Sequence, residues 1–304
     1  MKLKHDYVKS YRLGRKTKVN WKEKLFVLFV GLLTLFALLV FLSQNEYLLI
    51  DDIKVIGTKV LEEDELSADV QEEISGYYLS LFPKNNIFLY PQRKIKSRLL
   101  DTHKRIGEIK VRLRSANELL VKVTEREGEY LWCGEKRRTD AELERKTDAK
   151  LGAEEKCYFV DKESFIFATS PYFSSNVFFT FYGSPTEEGG KPQGSGIGSY
   201  LFTESEFKRI ILFKEFLSDI GVTTYALLKK DDGDYELFLV DSFSREESLP
   251  RIVFNQSNDF EKILNNLNSA LKTEPLSNLD ERLAELEYID LRFDNKVVYK
   301  FTNQ

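Results

Sequence analysis

Between Leu25 and Leu42 the chain reads LFVLFVGLLTLFALLVFL, eighteen residues without a charge, broken only by Gly31 and Thr34. At about 1.5 Å per residue, a helix over this run is about 27 Å long, close to the hydrocarbon thickness of a bilayer. A core helix of a soluble protein seldom stays apolar on every face for five turns, as this segment does. The run predicts a transmembrane helix over residues 25–45, with Trp21, Tyr47, Leu48 and Leu49 extending it into the interface. A cleaved signal peptide is the rival reading. Its apolar region is usually about 7–15 residues, closed by small residues at the cleavage site. Here VFLSQNEYLL follows, with no small pair, so an uncleaved signal anchor fits better.

Charge sets the orientation. Residues 1–24 form a basic tail with nine Lys/Arg against Asp6 and Glu23, a balance of +7, so the overall −4 leaves −11 on the rest. The tail places the N-terminus in the cytoplasm and everything beyond the span outside it. An exported region this acidic is a poor match for nucleic acid. Apolar residues at 42% and aromatics at 13% suffice for packed cores, and 304 residues leave room for roughly two domains.

Just outside the span, Ile50, Ile53, Val55 and Ile56 form a short strand stopped by Gly57. From Leu61 to Leu81 the residues Leu66, Val70, Ile74 and Tyr78 recur every four positions, the stripe of an amphipathic helix that Pro83 ends. KNNIFLYP is a connection, and a second helix follows with Ile95 and Leu99 on one face. GEIKVRLR and ELLVKVTERE then alternate apolar and polar residues as two strands. Strand, helix, helix, strand, strand is a small α+β unit with a three-stranded sheet.

From Tyr130 the composition changes. YLWC, CYFVD, ESFIFAT and NVFFTFYG are aromatic-rich strand candidates, and SPTEEGGKPQGSGIGS is a loop. Its GSGIGS lacks the Gly spacing and Lys-Ser/Thr pair of a phosphate loop, so it reads as surface. Thr203 is placed to cap a helix, with Glu206 three residues on as reciprocal partner, and Gly221 closes that helix. Strands are expected at Thr223–Leu228, Tyr235–Val240 and Arg251–Phe254, then a helix from Asp259 to about Leu271 and a short helical stretch in NLDERLAEL. In YIDLRFDNKVVYKF two alternating strands flank Asp294-Asn295, a pair suited to a tight hairpin.

Cys133 and Cys157 are the only cysteines, with 23 residues between them, and both lie in the exported part. An oxidising compartment favours a disulfide between neighbouring strands over free thiols, and two thiols without a nearby His do not make a zinc site. The exported part holds one histidine, His103, at a helix end, where it reads as structural. G-x-S-x-G and H-E-x-x-H arrangements do not occur, and paired acids such as Glu62-Glu63 sit at turns or exposed faces. The expectation is therefore a protein without catalytic residues, metal, cofactor or small-molecule substrate.

Taken in order, the basic tail, the single span, IKVIG, VKVTERE, CYFVDKESFIF and the terminal YIDLRF-x3-VVYKF resemble the FtsQ/DivIB family of bacterial cell-division proteins. The likeness runs from about Trp21 to Phe301. It implies a POTRA domain (βααββ) over 48–127 and an FtsQ-type β domain over 128–304, with no catalytic activity. It also implies a divisome scaffold at the septum, in the cell (inner) membrane, that helps control septal peptidoglycan synthesis. The chain departs from the family in reading RSANELL before the third POTRA strand, and in placing Glu163-Ser164 where a Gly is usual. Family partners are FtsB- and FtsL-like membrane proteins, with FtsB held at the C-terminal strand by strand addition. The matching residues are Arg292, Phe293, Val297, Val298 and Tyr299. Physically, an outermost strand leaves alternate N–H and C=O groups unpaired and invites a further strand. A POTRA-containing component of protein export and a membrane-tethered cell-wall enzyme are the alternative readings. The first usually carries a membrane β-barrel that this chain lacks room for.

Overall fold

The computed structural model describes residues 20–115, 117–135, 156–173, 177–186, 196–240 and 249–302. Most of the basic tail, the charged insertion between the cysteines and part of the Gly/Pro/Ser loop lie outside the described residues. The first helix, α1 (Trp21–Ser43), covers the apolar run and starts four residues before it. Among the described residues it is the one helix long and apolar enough to cross a membrane.

The next elements are β1 (Asp52–Ile56), α2 (Glu63–Ile74), a two-stranded hairpin of β2 (Tyr77–Tyr78) and β3 (Phe82–Pro83), and α3 (Gln92–Thr102). After them come β4 (Ile106–Leu113) and β5 (Glu118–Glu125). The order in the sheet is β1-β5-β4. Apolar stripes make these elements: α2 buries Leu66, Val70 and Ile74, α3 buries Ile95 and Leu99, and β5 buries Leu119, Val121 and Val123. The strand-helix-helix-strand-strand order is as the sequence predicts.

One boundary differs. The helix expected to reach Leu81 ends at Ile74, and Tyr78, fourth in its stripe, belongs to the hairpin instead. Gly76 takes φ +81° and breaks the helix, then Leu79 and Ser80 turn the chain with φ +51° and +59°. Gly57 is required where β1 ends: its φ is +92°, and a Cβ there would run into the Val123 carbonyl. Across the same turn, the buried Glu125 carboxylate accepts the backbone N–H groups of Lys59, Val60 and Leu61 at 2.6, 2.9 and 3.0 Å. Burial works to raise the Glu125 pKa, but the three donors outweigh it and hold the pKa below the usual range. His103 is buried at the end of α3, where its carbonyl accepts the Ile106 N–H.

A nine-stranded mixed sheet forms from β6 (Tyr130–Trp132), β7 (Tyr158–Val160), β8 (Ile166–Thr169), β9 (Thr180–Tyr182), β10 (Thr224–Lys229), β11 (Asp234–Leu239), β12 (Arg251–Asn255), β13 (Leu286–Asp290) and β14 (Val298–Phe301). Its order is β14-β13-β12-β11-β10-β9-β6-β7-β8. Pairs β12/β13, β9/β10 and β6/β9 are parallel. The helices α4 (Glu204–Asp219), α5 (Phe260–Ala270) and α6 (Leu279–Arg282) lie among these strands in sequence. Alternation along each strand separates two cores. Trp132, Phe181, Leu237, Ile252 and Ile289 join Phe213 of α4 and Leu267 of α5 in the large one. Leu131, Cys133, Tyr182, Ala226 and Phe238 form a smaller cluster.

The capping box that opens α4 is present, Thr203 and Glu206 each accepting from the other's backbone N–H. Glu206 also accepts from the buried Tyr235 hydroxyl, and burial together with that carboxylate raises the Tyr235 pKa. Cys133 and Cys157 form a disulfide, with 4.2 Å between their Cα atoms. Asp161, at the end of β7, accepts the N–H groups of Glu163 and Phe165, each at 2.9 Å, and pairs with Arg126. This turn puts Ser164 at φ +71°, a conformation that favours glycine. Its hydroxyl stays useful there, accepting the Phe202 N–H at 2.9 Å.

Candidate partner-binding edge

β14 is an edge strand: among the described residues it has β13 on one side and no strand on the other. The antiparallel register pairs Tyr288 with Lys300, Ile289 with Tyr299 and Asp290 with Val298. Two bonds fix which backbone groups look outward. On the far side of β13, the Leu291 N–H donates to the Val253 carbonyl (2.8 Å), and past β14 the Thr302 N–H donates to the Glu285 carbonyl (2.7 Å). Backbone groups alternate sides along a strand. The even-numbered residues of β14 therefore face β13, and the N–H and C=O of Tyr299, with those of Val297 and Phe301 around it, turn to the open side.

Side chains alternate in the other direction. Phe301 is fully buried, and Val297 packs against the same core. Between them Tyr299 is 37% exposed, its ring edge-on to Phe301 at 5.9 Å. Arg282 lies over the Phe301 ring at 4.2 Å. Val298 and Lys300 occupy the opposite face, where Lys300 pairs with Glu287 at 2.6 Å and its pKa is raised by that hydrogen bond.

The chain turns at Asp294-Asn295 as expected, but the connection is not a two-residue hairpin and neither residue takes a positive φ. β13 ends at Asp290 and β14 begins at Val298, so seven residues connect them. The cause is Arg292. Its Nε and Nη2 donate to the two oxygens of Asp290 (3.0 and 2.6 Å), and Nη1 donates to Asp234 of β11 (2.8 Å). Leu291 meanwhile stays with β12, its N–H on the Val253 carbonyl, so the chain runs on past Asp290 before it turns. Two asparagines of the α5 region hold the loop: Asn258 donates to the Arg292 carbonyl (3.2 Å) and Asn266 to the Asp294 carbonyl (2.9 Å). Phe293 is left exposed with Lys296 over its ring at 4.7 Å.

Of the five residues nominated from sequence, Val297, Val298 and Tyr299 lie on or beside the edge strand and Phe293 stands in the loop next to it. Arg292 is turned to its own chain. Burial raises the pKa of Asp290, but the Arg292 bonds more than offset this and lower it, while the two carboxylates hold the guanidinium pKa above its ordinary value. Sequence reasoning missed Asn258, Asn266 and Arg282. The asparagines were legible only as polar positions flanking or interrupting the apolar stripe of α5. Two shallow hollows flank the edge, of about 630 Å³ beside Phe293 and about 340 Å³ between Tyr299 and the C-terminal half of α5.

No protein-family model matches the chain, and no curated protein matches it.

Proposed function

We propose that this protein is a non-catalytic division scaffold of the FtsQ/DivIB kind, and that β14 is where its partner docks. On this reading α1 is a single-pass anchor in the cell membrane with the basic tail in the cytoplasm, and the β1-β5-β4 module is a POTRA domain. The nine-stranded sheet is the family's β domain. An extended segment of an FtsB- or FtsL-like membrane protein adds antiparallel or parallel to β14. Main-chain bonds to Tyr299 supply affinity, and the hollows beside Phe293 and Tyr299 take its alternate side chains. The complex then acts at the septum on peptidoglycan synthesis.

The observation that carries this reading is the outward-facing N–H and C=O of Tyr299 on an edge strand, with exposed aromatic surface on either side. Lys296 and Lys300 blunt that edge only partly, because each is engaged by its own chain, one over Phe293 and one on Glu287. The test is co-purification of membrane division proteins with the full chain and with Tyr299→Pro. Proline is tolerated on an edge strand where the N–H faces solvent, and it removes the donor. Loss of the partners from Tyr299→Pro, with retention by Tyr299→Val, supports strand addition. Retention by both sends the search to the POTRA-like module.

A further inference from the structure

The hairpin that replaces the end of α2 sits against α1 at an unexpected height. Phe82 of β3 packs edge-on against Phe36, with ring centroids 5.8 Å apart. Phe36 precedes Ser43, the last residue of α1, by seven positions, which is about 10 Å of helix. If α1 spans a bilayer, as proposed above, that contact lies well inside the outer half of a hydrocarbon core about 30 Å thick. The hairpin must then lie there too.

Its composition suits that depth. Leu79 at the tip is 85% exposed and Phe88 in the following loop is 78% exposed, with Tyr77, Leu81 and Leu89 also open. Two adjacent residues at positive φ ordinarily call for Asn-Gly in water, yet this turn carries Leu79 and Ser80. An apolar recess of about 560 Å³ runs between Leu39 and Leu42 of α1 and Tyr78, Phe82 and Phe88 of the loop. Non-helical backbone is tolerated in hydrocarbon only when its polar groups are satisfied within the protein. Here Leu81 N–H donates to the Tyr78 carbonyl (3.0 Å) and Lys84 N–H to the Gly76 carbonyl (3.0 Å). Gln44, just past α1, donates its side-chain amide to the Leu81 carbonyl at 3.2 Å. At the helix end, buried Asn86 donates to the Ser43 carbonyl at 2.9 Å.

We propose that the β2–β3 hairpin and the Phe88-Leu89 loop form a second membrane contact, inserted among the acyl chains of the outer leaflet beside α1. Lipid is the occupant the surface fits, because the apolar face is continuous with the span and begins below its outer end. The first exported module is thereby held flush with the membrane, not carried on a free tether.

The test uses the full chain in proteoliposomes, labelled with an environment-sensitive fluorophore at Leu79→Cys, Phe88→Cys, or Leu33→Cys in the centre of α1. Both native cysteines are tied in their disulfide, so each variant offers one reactive thiol. Quenching is read with spin-labelled lipids and with aqueous iodide. The expected result is loss of most emission from positions 79 and 88 with a shallow lipid quencher, little loss with iodide, and quenching of position 33 by a deep lipid quencher. Iodide access at 79 and 88 with position 33 still lipid-quenched overturns the insertion and leaves the span intact. Protection at 79 and 88 from both quenchers overturns it in favour of a covering protein chain. No lipid quenching at position 33 overturns the span itself and the insertion with it.

Discussion

Replacing Arg292 by alanine tests the clamp that holds the loop beside the edge strand β14. The guanidinium makes three charge-assisted hydrogen bonds, two to Asp290 and one to Asp234, and both carboxylates are buried. Each such bond contributes about 1.5–3 kcal/mol net when well buried. Arg292 is itself 43% exposed, so water screens the pairs and takes over part of the lost bonding. Each carboxylate also keeps another donor: the Arg292 backbone N–H stays on Asp290 and the Asn255 amide stays on Asp234. With both discounts, the expected loss for Arg292→Ala is about 2–4 kcal/mol, or about 5–12 °C in Tm. Arg292→Lys, a point charge without the fork, recovers only part of it.

The pH dependence gives the sharper signature. Asp290 has a depressed folded-state pKa, so its contribution is present above the unfolded value of about 3.9 and is lost as pH falls through the folded pKa. Without the guanidinium, only the backbone N–H of residue 292 still opposes burial at Asp290, so its pKa moves up from the wild-type position and the variant gains stability relative to wild type as acid protonates it. The gap between the two proteins is expected to narrow below about pH 4. Thermal unfolding of the full chain in detergent, followed by the fluorescence of Trp132 in the large core, measures both. A difference under about 0.5 kcal/mol at neutral pH, the range of an ordinary surface substitution, or a gap that widens in acid, refutes the clamp.

Three further outcomes are expected. Glu125→Ala strands three backbone donors and costs about 1–3 kcal/mol at neutral pH; because the Glu125 pKa is depressed, wild type loses this advantage as pH falls below about 4.3, and an unfolding series over pH checks it. Thr203→Ala removes the cap of α4 and lowers stability by about 1 kcal/mol in the same assay. Reduction of the Cys133–Cys157 bridge, or its double replacement by alanine, releases a loop of sequence separation 24 and costs about 3 kcal/mol; a Tm insensitive to reductant contradicts this.

Features written in contiguous residues were readable without coordinates. The apolar run gives α1 because no polar face interrupts it, and Thr203 with Glu206 marks the start of α4 because a capping box is local. The β1-α2-α3-β4-β5 order follows from period alone. The hairpin after Ile74 was hidden because Tyr78 fits the helical stripe and Leu79-Ser80 carries no turn residue. The seven-residue link after Asp290 was hidden because its determinant, Asp234, is 58 residues from Arg292. Strand order in the large sheet was likewise hidden, since parallel pairs such as β12/β13 join distant segments. At the candidate site, sequence located the edge strand but assigned Arg292 to a partner through the resemblance alone, because the partners it has in its own chain, Asp234 among them, are not written beside it.

The docking claim is tested most directly by amide hydrogen exchange on the full chain, with and without an FtsB- or FtsL-like partner segment. Strand addition predicts that the outward amide of Tyr299, with those of Val297 and Phe301, exchanges fast in the free protein and becomes strongly protected in the complex. The amides of Val298 and Lys300, already turned to β13, change little. A complex that forms while the Tyr299 amide keeps its free exchange rate contradicts the account.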